Sequence, residues 1–213
     1  MPPDGRTRRL FVAVWPDEAT QRLLQGLERE LGHSRGLRFV GPSRWHVTLR
    51  FLGTVREPGA EGESPDPGAG VVERIADALR ACGAAFPGPV ECRLGPGTGW
   101  FTAVRVLQLP AAGLDGLAAA VRAATLPLVP EPPDEPPFNG HLTLARSKGR
   151  RLTVAALGEM AGVPFEATFP VDHVDLVASD PSPRGNVYTT LVRVPLGAAP
   201  PAPDVRNPVP GSS

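Results

Sequence analysis

The chain has 213 residues, of which 41% are hydrophobic and 21% charged. That balance suits a soluble globular protein with a buried core and excludes general disorder. A formal net charge of zero argues against a protein that coats nucleic acid, so contact with a polyanion must come from a local cluster.

RRLFVAVW (8–15) is rich in β-branched and aromatic residues and predicts a buried strand ending at Pro16. The basic residues before it do not make a signal peptide, because the apolar run is too short. Asp17 then caps a helix in which Leu23, Leu24, Leu27 and Leu31 recur at helical spacing up to Gly32. His33 follows directly, where a cation suits the helix C-terminus. An extended piece, LRFV (37–40), leads to WHVTLRFLG and a strand over 45–55. REPGAEGESPDPGAG (56–70) is Pro/Gly-rich and acidic, and reads as a mobile loop.

A second helix is expected over 71–82, with Val72, Ile75, Leu79 and Cys82 on one face. Strands near 89–94 and 100–109 precede a third helix at 113–126 carrying Leu114, Leu117, Val121 and Ala124. PLVPEPPDEPP (127–137) is an extended loop, and HLTLARS (141–147) is a strand. A short helix near 152–161 and strands at 171–178 and 187–194 complete the pattern. The mixture lacks strict β/α alternation, which predicts α+β with mainly antiparallel sheet. We expect one bilobal unit over 1–197 and a disordered Pro/Ala-rich tail over 198–213.

Cys82 and Cys92 form no CxxC pair and read as buried thiols in a reducing, cytoplasmic setting. No stretch reaches the roughly 18 apolar residues of a membrane span. Lys148 is the only lysine; the arginine bias suits phosphate contacts but equally reflects base composition.

The chemistry lies in a doubled pattern. Two of only four histidines sit in HVTL (46–49) and HLTL (141–144). On a regular strand His46, Thr48 and Arg50 share one face, with Val47, Leu49 and Phe51 on the other. In the second copy His141, Thr143 and Ala145 share a face, which turns Arg146 away unless the strand bends after Leu144. Each motif thus anchors an apolar face and offers an imidazole and a hydroxyl. Two imidazoles can divide acid and base work, and two hydroxyls can hold anionic oxygens, as displacement at phosphorus requires. His173, beside Asp175 in DHVDLVAS, lacks the threonine and reads as a solvated strand histidine. HExxH, GxSxG and P-loop patterns are absent.

Paired HxTL motifs, the RLFVAVWP strand with its following helix, FLG after the first motif and AR after the second resemble the RNA 2′,3′-cyclic phosphodiesterases. These are two-histidine phosphoesterases, akin to bacterial 2′–5′ RNA ligase-like proteins. SDPSPRGNVYTTLVRVPL also resembles that family's closing segment, and the likeness covers roughly residues 8–196. It implies a bilobal α+β fold, two mainly antiparallel sheets flanking a central cleft with helices outside. It implies hydrolysis of RNA 2′,3′-cyclic phosphate ends to 2′-phosphomonoesters without metal or cofactor. His46 would protonate the leaving 3′ oxygen, His141 would activate water, Thr48 and Thr143 would hold phosphate oxygens, and Arg146 would add charge. Two features depart from the family pattern: Gly140 stands where members often have proline, and the 56–70 loop is long and acidic.

The expected partners are RNA ends or small cyclic nucleotides, met by a monomer away from membranes. Trp45, Phe11, Phe101 and Tyr188 are candidates for base stacking or for core packing. ATP-independent 2′–5′ ligation or cleavage of another cyclic nucleotide or 2′–5′ linkage uses the same groups, and an RNA-end binding module is the non-enzymatic alternative.

Overall fold

Every strand pairing among the described residues is antiparallel. The computed structural model describes residues 7–32, 36–56, 70–101, 105–131, 135–147, 153–183 and 185–197. His33, most of the 56–70 loop, Lys148 and the tail beyond Gly197 lie outside the described residues.

The strands are β1 (Thr7–Val14), β2 (Leu37–Phe39), β3 (Val47–Arg56), β4 (Val90–Leu94), β5 (Gly99–Phe101), β6 (Val106–Ala112), β7 (His141–Ser147), β8 (Ala167–Val171), β9 (His173–Asp180) and β10 (Val187–Pro195). They run in the order β10-β9-β1-β3-β7-β6-β4-β8, with β2 added to β7 and β5 to β6. The helices are α1 (Glu18–Leu31), α2 (Val71–Ala84), α3 (Asp115–Thr125) and α4 (Val154–Met160). This is the α+β, mainly antiparallel architecture that the sequence predicts.

Local chemistry explains the boundaries. The Asp17 side chain accepts a hydrogen bond from Thr20 N at 2.8 Å, and Gly32 ends α1 with a positive φ of 63°. Leu24 and Leu27 are buried, whereas Leu23 is 54% exposed and lies off the core face. Helix α2 packs on α3 and β10, and α3 covers β3. Cys92 is fully buried, and burial pushes its thiol up to about 12.

Two expectations need correction. The strand expected at 100–109 is instead the pair β5 and β6, in register at Trp100 and Leu107. Strand β8, ATFPV, is an element beyond those the sequence pattern predicts; it lies at the end of the order, where an edge tolerates Pro170.

A third correction concerns β3. Ala13 pairs with Thr48 and Val12 with Arg50, so Leu49 is an extra residue, and Leu52 is another between Phe51 and Gly53. The first bulge turns Arg50 inward, away from the face of Thr48. Its Nε lies 2.9 Å from Glu131 Oε1, and its guanidinium also donates to Thr125 Oγ1 and the Val129 carbonyl. Arg50 is 5% exposed, so this cluster ties β3 to the end of α3 and the segment beyond it. Removing Glu131 would leave a buried guanidinium without its counter-charge. Glu131→Ala should therefore lower stability by about 3 kcal/mol, read as a reduced urea midpoint with an unchanged m-value.

Candidate active site

The two motif strands meet through one pair of residues, Val47 and Leu142, both fully buried. Extending that antiparallel register one residue either way sets His46 toward Thr143 and Thr48 toward His141. All four line one cavity of about 630 Å³, within the range of about 300–1,000 Å³ usual for small-ligand sites. Distant parts of the chain thus supply one shared pocket.

Each imidazole is held in the same way. His46 Nδ1 lies 2.7 Å from the Arg44 carbonyl oxygen, and His141 Nδ1 lies 2.9 Å from that of Asn139, in both cases two residues earlier. A carbonyl only accepts, so Nδ1 carries the hydrogen in each ring and Nε2 is left for the cavity. Thr48 and Thr143 are half-buried, and their hydroxyls have no protein partner among the described residues.

The surroundings of the two rings differ. His46 sits among Phe11, Trp15 and Tyr188, with ring centroids 5.1, 5.2 and 5.2 Å away. This burial pushes its pKa down to about 4, against the opposing pull of the Arg44 carbonyl, and the nearby Arg146 guanidinium lowers it further. In the free protein His46 is neutral at pH 7, with a free Nε2 lone pair. Among the described residues His141 has one aromatic neighbour, Phe101, at 4.9 Å.

A bulge also follows the second motif. Leu107 pairs with Ala145 and Gln108 with Thr143, which leaves Leu144 as the extra residue. Leu144 and Ala145 are both buried, and Arg146 returns to the face of His141 and lines the cavity. The bend needed to bring Arg146 to the site is therefore present. Phe51 occupies the matching position, five residues after His46, and is 66% exposed at the cavity wall. The two motifs share a bulge as well as a pattern. One delivers a guanidinium and the other an aromatic face.

The remaining candidates separate cleanly. Trp45 is 1% exposed and belongs to the core. Phe11 and Tyr188 line the cavity beside His46, while Phe101 packs against His141 from outside the lining. His173 contacts Asp172 and does not line the cavity. Asp175, fully buried, instead takes two 2.9 Å hydrogen bonds from Arg193. Gly140 is required by packing: a Cβ there would lie 2.3 Å from the Ala111 carbonyl oxygen. Its own carbonyl accepts from Ala111 N at 2.9 Å, which seats the start of β7.

Sequence reasoning missed Phe51, Arg9, Arg38 and Arg44 as cavity residues. Regular alternation placed Phe51 in the core, while Arg9 and Arg38 depend on strand pairings, and Arg44 on a turn, that no local motif marks.

The fold and the two-histidine cleft define a phosphoesterase class. Residues 15–182 match the family model of the 2′-5′ RNA ligase superfamily. A Thermus thermophilus protein named RNA 2′,3′-cyclic phosphodiesterase is 32% identical over 201 residues, covering 88% of this chain and 90% of that protein. The crystal structure of TT0787 from Thermus thermophilus superposes with a TM-score of 0.69 at 31% identity, covering 89% of this chain and 98% of its own. Escherichia coli LigT complexed with 3′-AMP shares the fold, with a TM-score of 0.64 at 23% identity over 91% of this chain and 100% of its own. The chain belongs to the 2′-5′ RNA ligase superfamily, in its RNA 2′,3′-cyclic phosphodiesterase family.

The lowered pKa of His46 has two measurable consequences. Its ring signals in a proton NMR titration should stay those of neutral imidazole at pH 6 and move only near pH 4. Between 6.5 and 4 the unfolded chain binds the proton that the folded chain refuses. Stability should therefore fall as pH drops through that window, and His46→Phe should remove that part of the loss.

Proposed function

We propose that this enzyme hydrolyses RNA 2′,3′-cyclic phosphate ends to 2′-phosphomonoesters by acid–base catalysis with its two histidines. The observation that carries the reading is the register at Val47 and Leu142, which turns two His–Thr sets onto one cavity. The named Thermus thermophilus relative supports the substrate class.

In this mechanism His141 Nε2 takes a proton from water as the water oxygen bonds to phosphorus. The bond from phosphorus to the 3′ oxygen breaks on the opposite side, and His46 Nε2–H gives its proton to that oxygen. Thr48 and Thr143 donate to the non-bridging oxygens, and Arg146 offsets their growing charge. The net change is water added across one phosphorus–oxygen bond. Both Nδ1–H groups stay on their carbonyls and hold the rings in line.

His46 must be protonated to act as the acid, yet burial opposes this in the free enzyme. A bound phosphodiester anion raises its proton affinity, so substrate charges its own acid. The same burial favours a second reading in which His46 is the base and His141 the acid. An aryl phosphodiester separates the two, since its leaving group needs little protonation. If His46 is the acid, His46→Ala should lose much less activity on the aryl ester than on the cyclic phosphate, whereas His141→Ala should lose equally on both. The reverse pattern would exchange the roles.

Turnover of a nucleoside 2′,3′-cyclic phosphate should persist in excess EDTA and yield only the 2′-phosphate, as read by phosphorus NMR. His46→Ala and His141→Ala should each lower kcat by about a thousandfold or more, and the double variant little further, because the two act as a unit. Stoichiometric binding without product would favour the RNA-end binding module, and loss of activity on chelation would overturn the metal-free step. The acid limb of kcat/KM, which reports the free enzyme, should fall near pH 4 in place of pH 6.5.

A further inference from the structure

The chain is neutral overall, but the cavity is not. Arg9, Arg38, Arg44 and Arg146 line it, and no aspartate or glutamate does so among the described residues. None of the four pairs with a carboxylate among the described residues.

Three of these arginines are driven together by the backbone. Arg38 on β2 and Arg146 on β7 are direct Cα partners, an arrangement in which like charges destabilise a sheet. Arg44, in the short 3-10 turn Pro42–Arg44 before the first motif, reaches toward Gly185. A Cβ on Gly185 would lie 2.7 Å from Arg44 Nη1 and 4.0 Å from Arg38 Nη1, so two guanidinium groups converge on one bare Cα. Gly185 has a φ of 106° and closes a turn in which its N–H donates to the Ser182 carbonyl at 3.0 Å. The positive φ calls for glycine there, and the bare Cα leaves room for the guanidinium groups.

Convergent cations without a counter-charge form a site for an anion, and arginine forks match phosphate oxygens in pairs. In the mechanism above the reacting anion lies between the histidines, beside Arg146. Arg38 faces Arg146 across the β2–β7 pairing, and its guanidinium converges with that of Arg44 at the Gly185 turn. We propose that Arg38 and Arg44 make a second anion subsite, which takes the phosphate on the 5′ oxygen of the terminal nucleotide. This inference rests on the cyclic-phosphate reading above. Once the 2′ and 3′ oxygens are tied up in the ring, the 5′ oxygen is the ribose position left to carry another phosphate. That phosphate is either the link to the preceding nucleotide of an RNA or the 5′-monophosphate of a small nucleotide. With the chain neutral overall and these cations gathered in one cavity, the charge distribution favours gripping the end over tracking a long strand.

The test compares kcat/KM for three compounds: a nucleoside 2′,3′-cyclic phosphate, its 5′-phosphorylated form, and a dinucleotide ending in the cyclic phosphate. Wild type should favour both phosphorylated compounds over the first by about tenfold, with a steeper salt dependence. In the double variant Arg38→Gln/Arg44→Gln that ratio should fall to near one. An advantage for the dinucleotide alone would identify an RNA end as the ligand, and one for the 5′-monophosphate alone a small nucleotide. Equal rates for all three in wild type, or an advantage that survives in the double variant, would overturn the subsite while leaving the phosphodiesterase reading intact. No turnover of any of the three would overturn that reading, and the subsite with it. The melting temperature gives an independent readout: relief of the repulsion should leave the double variant at least as stable as wild type. A clear drop in Tm would make the two arginines structural and overturn the proposal.

Discussion

The site depends on one contact between two strands. Val47 and Leu142 face each other where the halves of the sheet join, and each is flanked by residues that point the other way. Because side chains alternate along a strand, burying this apolar pair forces His46, Thr48, His141 and Thr143 out onto the opposite surface. A slip of one residue in that register would turn the slipped strand over, and its imidazole would point into the core while the other still faced the cavity. The packing of the core and the aim of the histidines are therefore one constraint.

The bulges complete the arrangement. A regular strand after each motif would bury Phe51 and turn Arg146 away. One extra residue, Leu49 in the first case and Leu144 in the second, restores the cleft face at the fifth position after each histidine. The same slip turns Arg50 into the interior, where Glu131 sits beside it. The pseudo-symmetry of the motifs thus extends to irregularities of the backbone, which supports reading the bulges as built features. The two copies then diverge in content: an aromatic follows one histidine and a cation follows the other.

Electrostatics follow from this placement. His46 is sunk among Phe11, Trp15 and Tyr188 and is discharged at neutral pH, whereas the outer cleft gathers arginines with no acidic residue among its described lining. A bound anion acts on both features, raising the proton affinity of a buried imidazole and relieving the repulsion between Arg38 and Arg146. A cleft of this kind stores unfavourable charge that binding releases.

The doubled HxTL pattern, the helix caps at Asp17 and Gly32 and the apolar alternation of the motif strands were legible in the amino-acid order. Each is written in a few neighbouring residues, and so the fold class, His46, His141 and their threonines could be named from the chain alone. The face of Arg50, the exposure of Phe51, the return of Arg146, the need for Gly140 and the meeting of Arg38 with Arg44 were not. Each of these depends on a bulge or on a pairing between segments far apart in sequence, and periodicity carries no information about either. Local chemistry decided which residues are able to react; long-range register decided which of them share a cavity, because register follows from burying two apolar faces at once.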